Sequence, residues 1–182
     1  MEFVKRNIKL FILSGKARSG KDTVANFIKD YYKDKKTIIL SFGHYIKDYA
    51  KRVSDWDGED DNKPRELLQQ IGIELIKNKI NNRLFINRIL DDIEIFSYFY
   101  DVIIVDDARL RDEIEAFKEA HKNCVTVRVI RNNYDDNLTN SERNHVTEID
   151  LDNYTKFDYT IINNNTFDEL RYTVEKMLKE VK

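Results

Sequence analysis

The chain has 182 residues, with 31 Lys plus Arg against 33 Asp plus Glu and a formal net charge of −2. That length suits one domain, 1–182, with a substantial core. Charges of both signs are interspersed and no apolar run approaches the ~20 residues of a membrane span, which excludes a broad basic surface for a nucleic-acid duplex and a membrane-embedded protein. The expected partner is a small molecule. With Cys124 as the one cysteine and no apparent leader, a reduced, cytoplasmic protein is expected.

The run Ile8-Lys9-Leu10-Phe11-Ile12-Leu13 predicts a first strand over about 7–14, and a helical pattern opens at 20 with Val24, Phe27, Ile28 and Tyr31 on one face. Between them lies Gly15-Lys16-Ala17-Arg18-Ser19-Gly20-Lys21-Asp22-Thr23, which matches the spacing G-x-x-x-x-G-K. A polyphosphate needs several backbone N–H groups aimed into one concavity, a helix N-terminus behind them and a cation that reaches the outer phosphates. Gly15 and Gly20 permit the turn, Lys16 to Ser19 supply amides, and Lys21 supplies the cation. A plain glycine-rich turn would explain the glycines but not Lys21. Where the motif has the hydroxyl that holds Mg²⁺, this chain has Asp22, with Thr23 one residue later. Either the carboxylate holds the metal, directly or through water, or Thr23 takes part of that role.

A second strand is expected over 36–42, followed by helices over 43–54 and 64–97. His44 and Lys47 follow the strand end from which α/β proteins bind ligands. Lys47 is a candidate phosphate contact, while His44 has the alternative of an ordinary helix-start residue. The acidic run 57–62 reads as a solvated connector, and Pro64 suits the first turn of a helix that carries Arg65.

Val102-Ile103-Ile104-Val105 predicts a buried strand over 101–106 that ends in Asp106 and Asp107, with Arg109 and Arg111 beyond it. Carboxylates at that strand end would lie beside the phosphate loop if the strands are adjacent. Asp106 or Asp107 suits Mg²⁺; the other use of Asp107 is to cap the helix expected over 110–121. A strand over 123–131, begun by Cys124 as a buried structural thiol, precedes an aperiodic polar stretch, 132–144. A strand over 157–162 and a helix over 166–181 complete the pattern. Strands alternating with helices imply an α/β fold with a parallel sheet covered on both faces. Arg18, Arg65, Arg109, Arg111, Arg131 and Arg143 stand outside the core pattern, and several converging on one cleft would suit two anionic ligands.

The pieces SGKARSGKDTVA, SFGHYIKDYA, RELLQQIGIE, VIIVDDARLRDEIE, HVTEID and FDYTIINNNTFDEL together resemble the deoxynucleoside monophosphate kinase family of phages and bacteria, in the wider P-loop nucleoside monophosphate kinase group. The loop form G-K-D-[ST] belongs to that resemblance. Animal-type phosphomevalonate kinases are similar too, through the SGK-x-x-SGKD loop, the aspartate-x-arginine element after the third strand and the acidic segment before the last strand.

The resemblance implies a three-layer P-loop kinase fold with a five-stranded parallel sheet in the order 2-3-1-4-5, a helical acceptor-binding region over 43–97 and a short lid over 131–145. It implies ATP with Mg²⁺ as donor and a small phosphorylated acceptor. Lys47, Arg65, Gln69 and Arg109 would face the acceptor, with His44 kept as a further candidate there from its place after the second strand; Arg131 or Arg143 would clamp the transferring phosphate, and Asn163 to Asn165 would lie near the donor base. One departure is Lys77, where the family often has an arginine, because lysine lacks the bidentate fork. The expected reaction is phosphoryl transfer to a (deoxy)nucleoside monophosphate, with Gln69, Gln70 and Phe85 as candidate base contacts. Phosphomevalonate or dephospho-coenzyme A is the alternative acceptor, and a nucleotide-binding switch without transfer is the alternative class. The guanine-specifying pattern N-K-x-D is absent.

Overall fold

A computed structural model describes residues 2–59, 61–132 and 134–181; Asp60 of the acidic run and Asn133 of the polar stretch lie outside the described residues. Five parallel strands form one sheet: β1 Lys9–Ser14, β2 Thr37–Leu40, β3 Val102–Ala108, β4 Val125–Ile130 and β5 Tyr159–Ile162. Their order is β2-β3-β1-β4-β5, as the resemblance implies, and every pairing is parallel.

Alternation along β1 sends Leu10 and Ile12 to one face and Phe11 and Leu13 to the other, so a central strand reads as unbroken apolar sequence. The first face packs on α4 (Leu84–Phe96) and α5 (Arg111–Ala120) through Ile89, Ile93, Ile114 and Phe117. The second packs on α1 (Lys21–Tyr31) and α8 (Phe167–Glu180) through Val24, Ile28, Leu170 and Val174. Cys124 sits in the first layer, where burial pushes its thiol up to about 11 and leaves it unreactive near neutrality.

Three expected boundaries move. The second strand stops at Leu40 because Phe42 already begins α2 (Phe42–Val53). The third runs two residues past Asp106, so both aspartates belong to β3. The helix expected over 64–97 divides into α3 (Arg65–Gln69), a π-helix (Gln70–Ile80) and α4, with a break at 81–83. The wider π turn closes with Asn81 N–H donating to the Ile76 carbonyl at 2.8 Å, five residues back. At Gly72 this segment approaches α2 so closely that a Cβ would lie 2.9 Å from Ile46 Cδ1. Trp56, Ala50, Ile71 and Ile76 form a separate small core beneath it.

Beyond β4 the polar stretch carries the short helix α6 (Asn140–Arg143); a second, α7 (Val146–Ile149), follows it, and the chain returns to the sheet through Leu151 and Tyr154. No described helix is long and apolar enough to cross a membrane.

Candidate active site

The turn between β1 and α1 is held by close packing. A Cβ on Gly15 would lie 2.6 Å from the Val129 carbonyl oxygen, and Gly20 has φ 97° with Asn163 Nδ2 2.4 Å from where its Cβ would be. Larger residues fit neither position, which is why glycine stands at both. Asn163 also donates to the Ser19 carbonyl at 2.9 Å, tying the loop after β5 to the turn.

Lys21 opens α1 and is 5% exposed. Its ammonium donates to the Lys16 carbonyl at 3.0 Å across the turn. Burial, with the nearby Arg109 charge, lowers its pKa to about 8 against the pull of Asp22, Asp107 and Glu148. Two cations and several carboxylates therefore act on one small space.

Asp106 and Asp107 end β3 beside the turn, since Ser14 pairs with Ala108. Burial pushes Asp106 up to about 7, with further contributions from Asp107 and Asp22. Asp107 is engaged elsewhere, accepting the backbone N–H groups of Phe42 and Gly43 at 2.8 Å each and the Ser41 hydroxyl at 2.7 Å. It thus caps α2 and not the helix that follows it in sequence. That following helix, α5, has its leading amides held by Glu113, which accepts from Arg109 N–H at 2.7 Å and Leu110 N–H at 2.9 Å.

Ala17, Arg18, Lys21 and Asp22 open into a cleft of about 580 Å³ together with Asp106, Arg109 and Glu113. Its far wall is built by α2, α3, the π-helix and α4: Lys47, Lys63, Arg65 and Lys77 supply cations, and Ile46, Leu68, Ile73, Ile76 and Phe85 supply apolar surface. Phe85 stacks on Tyr45 with ring centroids 5.9 Å apart and planes 8° from parallel. Gln69 lines the same wall, while Lys77 is held by Asp112.

Of the residues expected from sequence, Ala17, Arg18, Lys21, Asp22, Lys47, Arg65, Gln69, Asp106 and Arg109 line this one cleft. Others lie outside it. Lys16 pairs with Asp152 at 2.8 Å, and Lys16, Ser19 and Arg131 line an adjoining hollow of about 520 Å³ beside β4. Arg131 rests over the Tyr134 ring at 5.3 Å, and Arg143 is bound to Asp136 at 2.8 Å. His44 is exposed in the first turn of α2, Thr23 lies one residue past the lining, and Asn165 is exposed. Lys63 and Glu113 escaped the sequence reading; Glu148 was named there only within HVTEID, with no role given to it, and the helical wall was expected but not its π form.

A magnesium ion commonly keeps several waters and uses one or two carboxylates plus phosphate oxygens. Asp22 and Asp106 meet that requirement: they are oxygen donors that crowd each other beside the turn, a repulsion that a divalent cation relieves. No cluster of three or more His, Cys, Asp or Glu with metal-holding geometry occurs among the described residues, so an all-protein cage is not what this site offers.

The phosphomevalonate kinase family model matches residues 13–123, from the end of β1 to the start of β4. The chain belongs to the phosphomevalonate kinase family. The matched span contains the phosphate loop, both aspartates of β3 and the whole far wall of the cleft. Outside it lie residues 131–145 and Glu148, so this phosphomevalonate kinase family member carries part of its cleft on sequence the match does not reach.

Solved structures share its fold. An APS kinase from Mycobacterium tuberculosis, in complex with AMPPNP and APS, superposes with a TM-score of 0.59 at 13% identity, covering 96% of this chain and 99% of that one. A shikimate kinase from Acinetobacter baumannii in complex with shikimate gives 0.52 at 13% identity, over 97% and 94%. A sugar kinase from a Janibacter species gives 0.58, also at 13%, over 94% and 95%. The sheet order and the helices on both faces are those of the P-loop kinase fold. No curated protein matches the sequence.

Proposed function

We propose that this chain transfers the γ-phosphoryl group of ATP to the phosphate of a small acceptor, with (deoxy)nucleoside monophosphates as the leading acceptor class. The observation that carries the reading is the single cleft that runs from Lys21 and Asp106 to a wall bearing Lys47, Lys63 and Arg65. One end suits a triphosphate tail and the other a second anion. The loop amides and Lys21 bind the donor phosphates, and Arg18 and Arg109 neutralise charge on the transferring group. Arg131 or Arg143 closes over it from the lid when the lid moves. Asp22 and Asp106 would hold Mg²⁺, with Thr23 as an outer partner, and the ion would supply neutralisation of the donor's phosphate charge. Asn163 and Asn165 flank the donor base. Catalysis is positioning plus electrostatics, with no covalent enzyme intermediate.

The base-sized part of the acceptor rests against Phe85, a flat ring already stacked on Tyr45, with Gln69 as amide contact. His44 contributes only through the first turn of α2. A second reading, phosphomevalonate as acceptor, is favoured by the family match over 13–123 and by the aliphatic surface of Ile46, Leu68, Ile73 and Ile76. The deciding experiment measures ADP release with Mg²⁺ and ATP against a panel of deoxynucleoside monophosphates, phosphomevalonate and dephospho-coenzyme A, with Lys21→Ala as control. Stimulation by a nucleoside monophosphate supports the first reading, and stimulation by phosphomevalonate alone replaces it. No stimulation by any acceptor would reject transfer in favour of a nucleotide-binding switch.

A further inference from the structure

Glu148 lies on α7, outside the family match, yet it is 7% exposed and lines the cleft. Its two carboxylate oxygens serve different elements. Oε2 accepts the backbone N–H of Ala17 at 2.9 Å, inside the phosphate loop, and Oε1 pairs with Nη1 of Arg109, just beyond the end of β3. A buried carboxylate divided between a loop amide and a guanidinium fixes the distance between them.

Arg109 needs such a partner. It is close enough to Lys21 for each cation to repel the other, and its long side chain has many rotamers. Its backbone is pinned by Glu113, which leaves only the side chain to be aimed. Glu148 supplies both the opposing charge and the direction.

The rest of α7 and its C-terminal extension is secured without Glu148. Asp150 accepts from Arg111 N–H at 2.6 Å, Asp152 pairs with Lys16 at 2.8 Å, and Leu151 is buried in the core. Removing the Glu148 charge therefore tests aim and not folding.

We infer that Glu148 is a positioning residue for phosphoryl transfer, locking the Arg109 guanidinium against the phosphate loop so that it faces the transferring group. The inference rests on the transfer reading above. It also makes the lid-side segment a working part of the site, since α7 docks on the loop through the same carboxylate.

The test is a double-mutant cycle of Glu148→Gln and Arg109→Ala, assayed by ADP release with the panel acceptor that wild type turns over fastest. Glu148→Gln is expected to lower kcat by ~10- to 100-fold, the scale of a small misplacement of a reacting group, with KM for ATP and the melting temperature unchanged. Placed on Arg109→Ala, it should cause no further loss, because its effect passes through the missing guanidinium. A partial recovery there would also support the inference, since Glu148 without Arg109 is a buried unpaired charge. Wild-type kcat in Glu148→Gln, or losses that multiply in the double variant, would overturn the role of Glu148 alone. A wild-type protein inactive with every acceptor would overturn the transfer reading, and this inference with it, before any variant is compared.

Discussion

Asp107 Oδ2 accepts the backbone N–H of Gly43 at 2.8 Å, joining the end of β3 to the first turn of α2. With Phe42 N–H and the Ser41 hydroxyl also bound, the carboxylate is spent on a helix N-terminus, where a negative charge opposes the helix dipole favourably. Its neighbour Asp106 points to the other side of the strand, toward Lys21 and Asp22. Two adjacent acids therefore have separate duties, one in the architecture of the acceptor wall and one at the phosphate loop.

Opposite consequences are expected from the two substitutions. Asp107→Ala should destabilise the protein by about 1–2 kcal/mol, the usual loss for a helix cap, read as a lower urea midpoint. Asp106→Asn should leave that midpoint unchanged or raised, because it removes a buried like charge, while lowering turnover on the order of 100-fold. Wild-type magnesium dependence in Asp106→Asn would refute its metal role.

Lys21→Met should abolish turnover and yet stabilise the nucleotide-free protein near pH 7. Burial holds the Lys21 pKa at about 8, below its ordinary 10.5, so the folded state bears the cost of a buried charge below pH 8 and is relieved of it as pH rises from 8 toward 10.5. The stability advantage of the methionine variant should accordingly be largest at pH 7 and shrink at pH 10. Denaturation at the two pH values measures it, and an advantage that grows with pH would contradict the assignment.

What could be read from sequence was whatever is local. The phosphate loop announces itself because Gly15, Gly20 and Lys21 meet backbone and phosphate constraints within a single turn, and the central strands do so because burial on both faces leaves an unbroken apolar run. The sheet order came through the family resemblance, not through periodicity. The π-helix was invisible because Gln70–Ile80 has the apolar spacing of an ordinary helix, and its wider turn shows only in the backbone hydrogen bonding, as in Asn81 N–H to the Ile76 carbonyl. Glu148 looks like any solvated acid in its segment, since the amide it binds, that of Ala17, lies far away in the chain; Glu113 instead binds the amides of Arg109 and Leu110 just before it, a local capping pattern. Asp107 was expected to cap, if at all, the helix next in sequence; its actual partner lies 64 residues away, where no local signal reaches.

Glu113→Gln should flatten the stability profile between pH 4.5 and pH 8. Burial pushes the Glu113 pKa from 4.5 up to about 8, outweighing the Arg109 and Leu110 amides that favour the anion. Wild type should lose this part of its stability as pH climbs from 4.5 to 8 and stay level above, whereas glutamine keeps an acceptor for the amides without a charge. Urea midpoints at pH 5 and pH 8.5 are the measurement: the variant should match wild type at the lower value and exceed it at the higher. A variant equally weakened at both would mean that Glu113 serves as an ion throughout.

Gly72→Ala tests the far wall of the cleft without touching the phosphate loop. The new Cβ would meet Ile46 Cδ1 at 2.9 Å, and since that methyl ends a flexible side chain it can swing aside. The space it moves through is the cleft both residues line. Alanine gains up to ~1 kcal/mol of helix propensity over glycine, which offsets the displacement, so the melting temperature should hold steady. Acceptor KM should rise while ATP affinity stays constant, because only the apolar wall has changed. A parallel loss of ATP affinity would show that the wall and the phosphate loop do not act as separable halves of the cleft.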